Sequence, residues 1–218
     1  MDENEKIRIY KDRLRIFLIL YVFSEPYLNI NWPNIRRIFQ SEQRIQKIDF
    51  LLRNPDYLCY ELLNKVKTDQ SLSSEIKEIV KDVFKNKEPI LKRLEMEKFF
   101  FGAYEDIDDV IAFLKSIDFI DFSSKKRADL KTTIEKKYFI TQYAIDKFEI
   151  EIDSLSTIKW YVNRCNLIKK YFGDLSGSQL RVSQYQIDEY KNTSYNDYIG
   201  NINGIVNSEF YNLYLETL

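Results

Sequence analysis

The run Ile16-Phe17-Leu18-Ile19-Leu20-Tyr21-Val22-Phe23 constrains the fold more than any other stretch, because consecutive apolar residues of this kind must leave water. A membrane span needs about 20 such residues, and this run gives way at once to Glu25-Pro26. Asp2, Glu3, Glu5 and Asp12 precede it and it lacks a small-residue cleavage site, so it does not read as a secretory leader. Leu14, Phe17, Leu18, Tyr21 and Val22 fall on one helical face. The expectation is a core helix in a cytoplasmic protein whose thiols stay reduced.

The remaining pattern is mostly helical. With 44% hydrophobic residues the 218-residue chain has ample material for a core, and five glycines and four prolines leave little for long linkers. Pro26 to Pro33 reads as a loop, and Arg44 to Arg53 as a helix carrying Ile45, Ile48 and Leu52. Asn54-Pro55 is a stop followed by a start, with Asn54 as N-cap of a helix that buries Leu58, Leu62 and Val66. Ser73 to Phe84 repeats the helical stripe with Ile76, Ile79, Val80 and Val83. Leu94 to Phe101 reads as a strand, and Glu105 to Lys115 as a helix burying Ile107, Val110, Ile111 and Leu114. Ile117 to Phe122 and Tyr138-Phe139-Ile140 are β-rich and flank a charged loop. Thr141 then caps a helix with Ala144, Ile145 and Phe148. A further helix runs from Ser156 through Ile158, Tyr161, Val162, Cys165, Ile168 and Phe172 to a stop at Gly173.

Helix, strand, charged loop, strand and capped helix is the pattern of a winged helix. The fold class expected is therefore mostly α with a small antiparallel β-hairpin (α+β), a winged-helix-like core plus additional helices. Two segments are expected: a body over residues 1–185 and an arm over residues 186–218. The arm holds six Asn and five Tyr, and five acids against Lys191 alone. Its expected state is weakly folded, with Tyr and Leu side chains docking on the body or on a partner.

Composition excludes much chemistry. The chain has no histidine, which removes Ser-His-Asp and Cys-His catalysis, paired-histidine zinc sites and a histidine general base. Cys59 and Cys165 are too few and too far apart for a structural zinc site, and each sits among core apolar residues. No phosphate-cradling glycine loop is present. Pro55-Asp56 with Glu75-Ile76-Lys77 matches the outline of a metal-dependent nuclease motif, but that chemistry needs convergence from adjacent strands. Asp56 instead suits a helix N-terminus, and Glu75 and Lys77, two apart on a helix, do not face each other. No catalytic residue, metal or cofactor is expected, and the chain is not read as an enzyme.

Two charged segments remain. Ser123 to Lys137 holds Lys125, Lys126, Arg127, Lys131, Lys136 and Lys137 against Asp129 and Glu135. In a projecting wing, Lys125, Lys126, Arg127 and Lys131 are candidate phosphate contacts; the plainer reading is a solvated hairpin tip guarded by lysines. The preceding helix opens Tyr104-Glu105-Asp106-Ile107-Asp108-Asp109. A DNA-reading winged helix presents Arg, Lys, Asn or Gln there. Tyr104, Glu105, Asp106, Asp108 and Asp109 are therefore candidate partner-binding residues, although acids at a helix N-terminus also suit the dipole alone. The 16 Tyr and 15 Phe have two readings, interface rings or the composition of an AT-rich genome.

Four segments carry a resemblance: Arg44-Ile-Gln-Lys-Ile-Asp-Phe-Leu-Leu-Arg-Asn-Pro-Asp-Tyr-Leu58, Phe99-Phe-Phe-Gly-Ala-Tyr-Glu-Asp106, Tyr138-Phe-Ile-Thr141 and Phe172-Gly-Asp-Leu-Ser-Gly-Ser-Gln-Leu180. In this order they resemble the small winged-helix middle component of bacterial three-component ABC-ATPase systems, of which the Lamassu-type anti-phage systems are the example. Ala103 and Tyr104 stand where that family tends to show Pro and Trp. The resemblance spans about residues 10–185. It implies a non-catalytic adaptor that binds an SMC-like coiled-coil ABC ATPase and couples it to an effector nuclease, with DNA contacted through the complex and no membrane. The alternative is a winged-helix DNA-binding transcriptional regulator.

Overall fold

The computed structural model describes residues 3–100, 102–126, 133–151 and 156–218. In chain order the elements begin with α1 (Glu3–Phe23), β1 (Glu25–Pro26), β2 (Ile35–Gln40), α2 (Glu42–Arg53), α3 (Pro55–Thr68), α4 (Ser73–Lys85) and α5 (Glu88–Leu91). Next come β3 (Glu97–Phe99), β4 (Gly102–Tyr104), α6 (Asp108–Ser116), β5 (Ile120–Lys126), β6 (Thr133–Thr141) and α7 (Gln142–Glu151). The last are α8 (Ser156–Phe172), α9 (Gly177–Gln184), α10 (Asp188–Asn192) and α11 (Asn203–Tyr214). The class is mostly α with small antiparallel sheets, as expected. Among the described residues no helix is long and apolar enough to cross a membrane.

The chain divides into two compact units, and the division is not the body and arm expected from composition. Residues 1–49 and 106–177 form the first unit; residues 50–105 and 178–218 form the second.

In the first unit α1 is central. Ile16, Phe17, Leu18, Ile19 and Leu20 are all buried, so this stretch is enclosed on every side and not along a single stripe. It packs on α8, α6, β2 and β6. The Phe17 ring meets Phe119 at 5.2 Å and Phe148 at 5.6 Å. Burying each large apolar side chain contributes about 1.5–3 kcal/mol. α8 returns the contact with Ile158, Tyr161, Cys165, Ile168 and Phe172, the stripe expected from its spacing.

Arg15 lies at the start of the enclosed stretch, 1% exposed. Its Nη1 donates to Asp12 Oδ1 at 2.7 Å, and Nη2 to Asp49 Oδ2 at 3.4 Å, while Nε also donates to Asp49. Burial alone lowers the guanidinium pKa, but the charges and hydrogen bonds of Asp49 and Asp12 outweigh it and leave the group more firmly protonated than usual. The pair joins α1 to α2.

The sheet order is β1-β2-β6-β5, antiparallel throughout. β2 was not visible in the sequence pattern. Its pairing with β6 shifts register between Ile35 and Arg37, which breaks the period-two alternation. Two arginines sit in it half-buried: Arg36 Nε donates to Gln142 Oε1 at 2.8 Å and Arg37 Nη2 to the Ser24 carbonyl at 3.1 Å. Thr141 caps α7 as expected, its Oγ1 accepting from the Ala144 amide at 3.1 Å. Gly177 permits a close approach, since a Cβ there would lie 2.8 Å from the Arg44 amide nitrogen.

The second unit is built on α3, whose Tyr57, Leu58, Cys59, Leu62, Leu63 and Val66 are buried. α3 packs against α4 and α11. Asn54 precedes it but makes no capping hydrogen bond; its Nδ2 donates back to the Phe50 carbonyl at 2.9 Å. The strand expected at 94–101 is a hairpin of β3 and β4, with Gly102 at φ 94°. Residues 186–218 are not a weakly folded arm. Ile187, Tyr190, Ile199, Ile202, Val206 and Phe210 are buried, and Ile202, Val206 and Phe210 recur at the four-residue helical spacing that the Asn- and Tyr-rich composition masked.

Removing one partner of a buried ion pair costs about 3–5 kcal/mol. Asp49→Ala is expected to lose stability of that order in urea unfolding. The double variant Arg15→Met, Asp49→Leu, which removes both charges, is expected to recover most of the loss. A D49A protein with an unchanged midpoint would mean that Asp49 does not balance Arg15.

Candidate functional site

The strands expected on either side of the charged loop pair as an antiparallel hairpin up to its described ends. β5 and β6 pair from Ile120↔Ile140 through Lys125↔Glu135 to Lys126↔Thr133, with a register shift between Lys125 and Lys126. The Lys125 side chain is 74% exposed, its Nζ 3.8 Å from Glu135 Oε2. Arg127, Lys131 and the side chain of Lys126 lie outside the described residues. The other two wing lysines are engaged by acids: Lys137 Nζ lies 3.0 Å from Glu135 Oε1, and Lys136 pairs with Glu42 and lies 3.8 Å from Asp108 Oδ1. The hairpin base is therefore closer to neutral than the raw charge count implies.

The five candidate partner residues fall in different units. Asp106, Asp108 and Asp109 belong to the first unit and are exposed around the start of α6, which begins at Asp108, later than the pattern indicated. Asp106 Oδ1 accepts from the Asp108 amide at 2.9 Å, and the Asp108 side chain is 79% exposed. That bond closes a local turn ahead of the helix, whose N-cap, Ile107, makes no side-chain capping bond. Asp108 and Asp109 leave their charge facing water.

Tyr104 and Glu105 belong to the second unit. Glu105 turns onto the buried Arg53, whose guanidinium also reaches the Leu94 and Glu95 carbonyls. That carboxylate is a structural partner and not a surface charge. Tyr104 ends β4, with its ring 5.9 Å from Phe99.

The nuclease-like residues do not converge. Asp56 is fully buried in the second unit; its Oδ2 accepts from the Ile202 amide at 2.8 Å and lies 3.2 Å from Arg93 Nη1. Lys77 pairs with Glu216 at 2.7 Å and Lys81 with the same carboxylate at 2.5 Å, which pulls Glu216 down to about 2. Among the described residues no group of three or more Cys, Asp or Glu could hold a metal ion. Both cysteines are buried, and burial first, then the charge of Asp49, pushes the Cys165 thiol well above its ordinary value.

Asp56 has a role that its position in the first turn did not reveal. With Tyr57, whose Oη donates to the Gly200 carbonyl at 3.0 Å, and Glu61, which accepts from Ser183 Oγ at 2.5 Å, it fastens the C-terminal segment of the second unit to α3. Asn54-Pro55-Asp56 indicated only a helix start. An open cleft in the first unit, lined by Asn34, Lys115, Asp118, Asp121, Thr141 and Tyr143, offers little chemistry because Lys115 is bound to Asp121 at 2.8 Å.

Burial raises the Asp56 pKa more than the Ile202 amide and Arg93 lower it. For such a carboxyl the stabilising share is complete below the unfolded-state value of about 4 and is lost as pH rises through the higher folded-state value. Asp56→Asn keeps an acceptor for Ile202 without the charge, so its stability relative to the parent should improve as pH rises above about 4. Asp56→Ala leaves the Ile202 amide unpaired and should cost about 1–3 kcal/mol. Denaturant unfolding from pH 3.5 to 7 checks both; a D56N protein that loses ground with rising pH would contradict the raised value.

No family model matches the chain significantly, nor does any curated protein or any solved structure.

Proposed function

We propose that this chain is a non-catalytic, cytoplasmic accessory subunit of a bacterial anti-phage defence complex. It binds an SMC-like coiled-coil ABC ATPase and couples it to an effector nuclease. The connectivity of the first unit supports the winged-helix part of the reading. A helix, a strand and a helix (α1, β2, α2) are followed by a helix and two strands (α6, β5, β6), with the first strand hydrogen-bonded to the last.

The observation that carries the proposal is the charge at α6. In a DNA-reading winged helix this element enters the groove, and here its exposed opening is Asp106, Asp108 and Asp109. Like charges about 4 Å apart repel by about 1 kcal/mol even in water-like dielectric. Three such carboxylates facing phosphates oppose insertion of this helix into a groove. A polypeptide surface bearing Lys or Arg meets no such penalty. The second reading, a DNA-binding transcriptional regulator, is favoured by the exposure of Lys125.

Co-expression with the neighbouring genes is expected to yield a stable complex with a large ATPase. Asp108→Asn with Asp109→Asn should weaken it at least tenfold, about 1.4 kcal/mol, with only a small fall in the unfolding midpoint from the lost charges at the helix N-terminus. A chain that purifies alone as a monomer from that mixture would overturn the adaptor reading. Changing Lys125, Lys126, Arg127 and Lys131 to Glu should leave the subunit assembled but abolish any salt-dependent DNA affinity of the complex. The regulator reading expects the same variant to lose operator binding by the isolated chain.

A further inference from the structure

The β3–β4 hairpin of the second unit has one buried and one open face. Lys98 and Ala103 point inward and are buried. The Lys98 ammonium is committed to the Lys191 and Thr193 carbonyls at 2.6 and 2.7 Å. On the open face Glu97 pairs across the ladder with Tyr104, and on its other side bridges to Tyr198. Residues directly opposite in antiparallel pairs share a face, so Glu97 shares its face with a tyrosine on either side. Phe99, two residues on, extends the same face. Its ring stands 5.0 Å from Phe100, and Phe100 stands 5.4 Å from Tyr195. These rings are open to solvent, Phe100 by 63% and Tyr198 by 60%.

The edges of this small sheet are already occupied. The outward amide of Ala103 donates to Tyr190 Oη at 2.6 Å, and β3 is bonded on its far side by Lys98 N to Asp197 O and Ile199 N to Met96 O, each at 3.0 Å. Strand addition is thus closed, and only the face remains for a partner. Its chemistry is specific. No cation among the described residues pairs with Glu97, and Asp197 is exposed beside Tyr198. The unit carries 12 Lys and Arg against 15 Asp and Glu, a net charge of −3. Aromatic rings around a carboxylate attract a cation through the ring quadrupole and through charge together.

We propose that Glu97, flanked by Tyr104 and Tyr198 and backed by Phe99 and Phe100, forms a receptor for an arginine side chain presented by a partner polypeptide. Arginine fits better than lysine because its planar guanidinium stacks on rings while donating two parallel hydrogen bonds to one carboxylate. Single-stranded nucleic acid would stack on the same rings, but its phosphates would meet Glu97 and Asp197. The receptor stands independently of the ATPase adaptor reading, because it concerns a face of the second unit and needs no particular complex.

The test is an NMR titration of the labelled full-length chain with acetyl-Gly-Arg-Gly-Arg-Gly-amide, and with the same peptide carrying citrulline, arginine's uncharged analogue. The arginine peptide should shift the ring signals of Phe99, Tyr104 and Tyr198 saturably, and the citrulline peptide should not. Glu97→Gln should weaken binding about tenfold and Phe99→Ala or Tyr198→Ala about threefold or more, with unfolding midpoints kept near the parent's because these side chains are exposed. Equal binding of both peptides, absence of saturable shifts, shifts confined to the α6 acids, or tighter binding of oligothymidine at these rings would each overturn the proposal. Failure of co-expression to give a complex would bear on the adaptor reading alone.

Discussion

Arg15 keeps its charge in a helix from which water has been removed, and the first unit is arranged around that constraint. Asp12 satisfies it from the preceding turn and Asp49 from α2. The apolar residues that follow are then enclosed by α8, α6 and two strands of the sheet. Because Asp49 answers a single fixed group, α2 has little freedom to slide along α1. The same packing that hides Ile16 to Leu20 holds α6 against α1 and β5. The acids at the start of α6 are thus displayed from a fixed support and not from a mobile loop.

The second unit solves a different problem. Its C-terminal segment is rich in Asn and Tyr, and buries Ile187, Tyr190, Ile199, Ile202, Val206 and Phe210. Polar latches add to that burial and fix its register: Asp56 to the Ile202 amide, Tyr57 to the Gly200 carbonyl and Glu61 to Ser183. Burial raises the pKa of Asp56 and Glu61 alike, so these latches cost desolvation and work through well-directed hydrogen bonds rather than through charge. Ordering this segment brings Tyr195 and Tyr198 to the open face of the β3–β4 hairpin.

The helices with a clean apolar stripe, α3, α4, α6, α7 and α8, were legible because burial and period coincide in them. β2 was not, since a register shift and two half-buried arginines disguise its alternation. Asp49 looked like one more polar residue in a helix, and its role depends on Arg15, 34 residues away in sequence. Charge runs misled in a similar way: Glu105 reads like Asp106 beside it, yet only Glu105 turns onto Arg53. Composition hid the stripe of Ile202, Val206 and Phe210 inside an apparently unstructured tail. Local pattern reports which side of an element is apolar; which charge answers which is a matter of tertiary contact.

Whether the exposed acids of α6 face a polypeptide or a nucleic acid is the point on which the functional account turns. Hydrogen–deuterium exchange of the full-length chain measures it most directly, compared free, within the co-expressed complex, and with duplex DNA. The account predicts slowed exchange across residues 106–116 in the complex and none on adding duplex DNA to the free chain. Slowed exchange there with DNA, and no change in the complex, would contradict it.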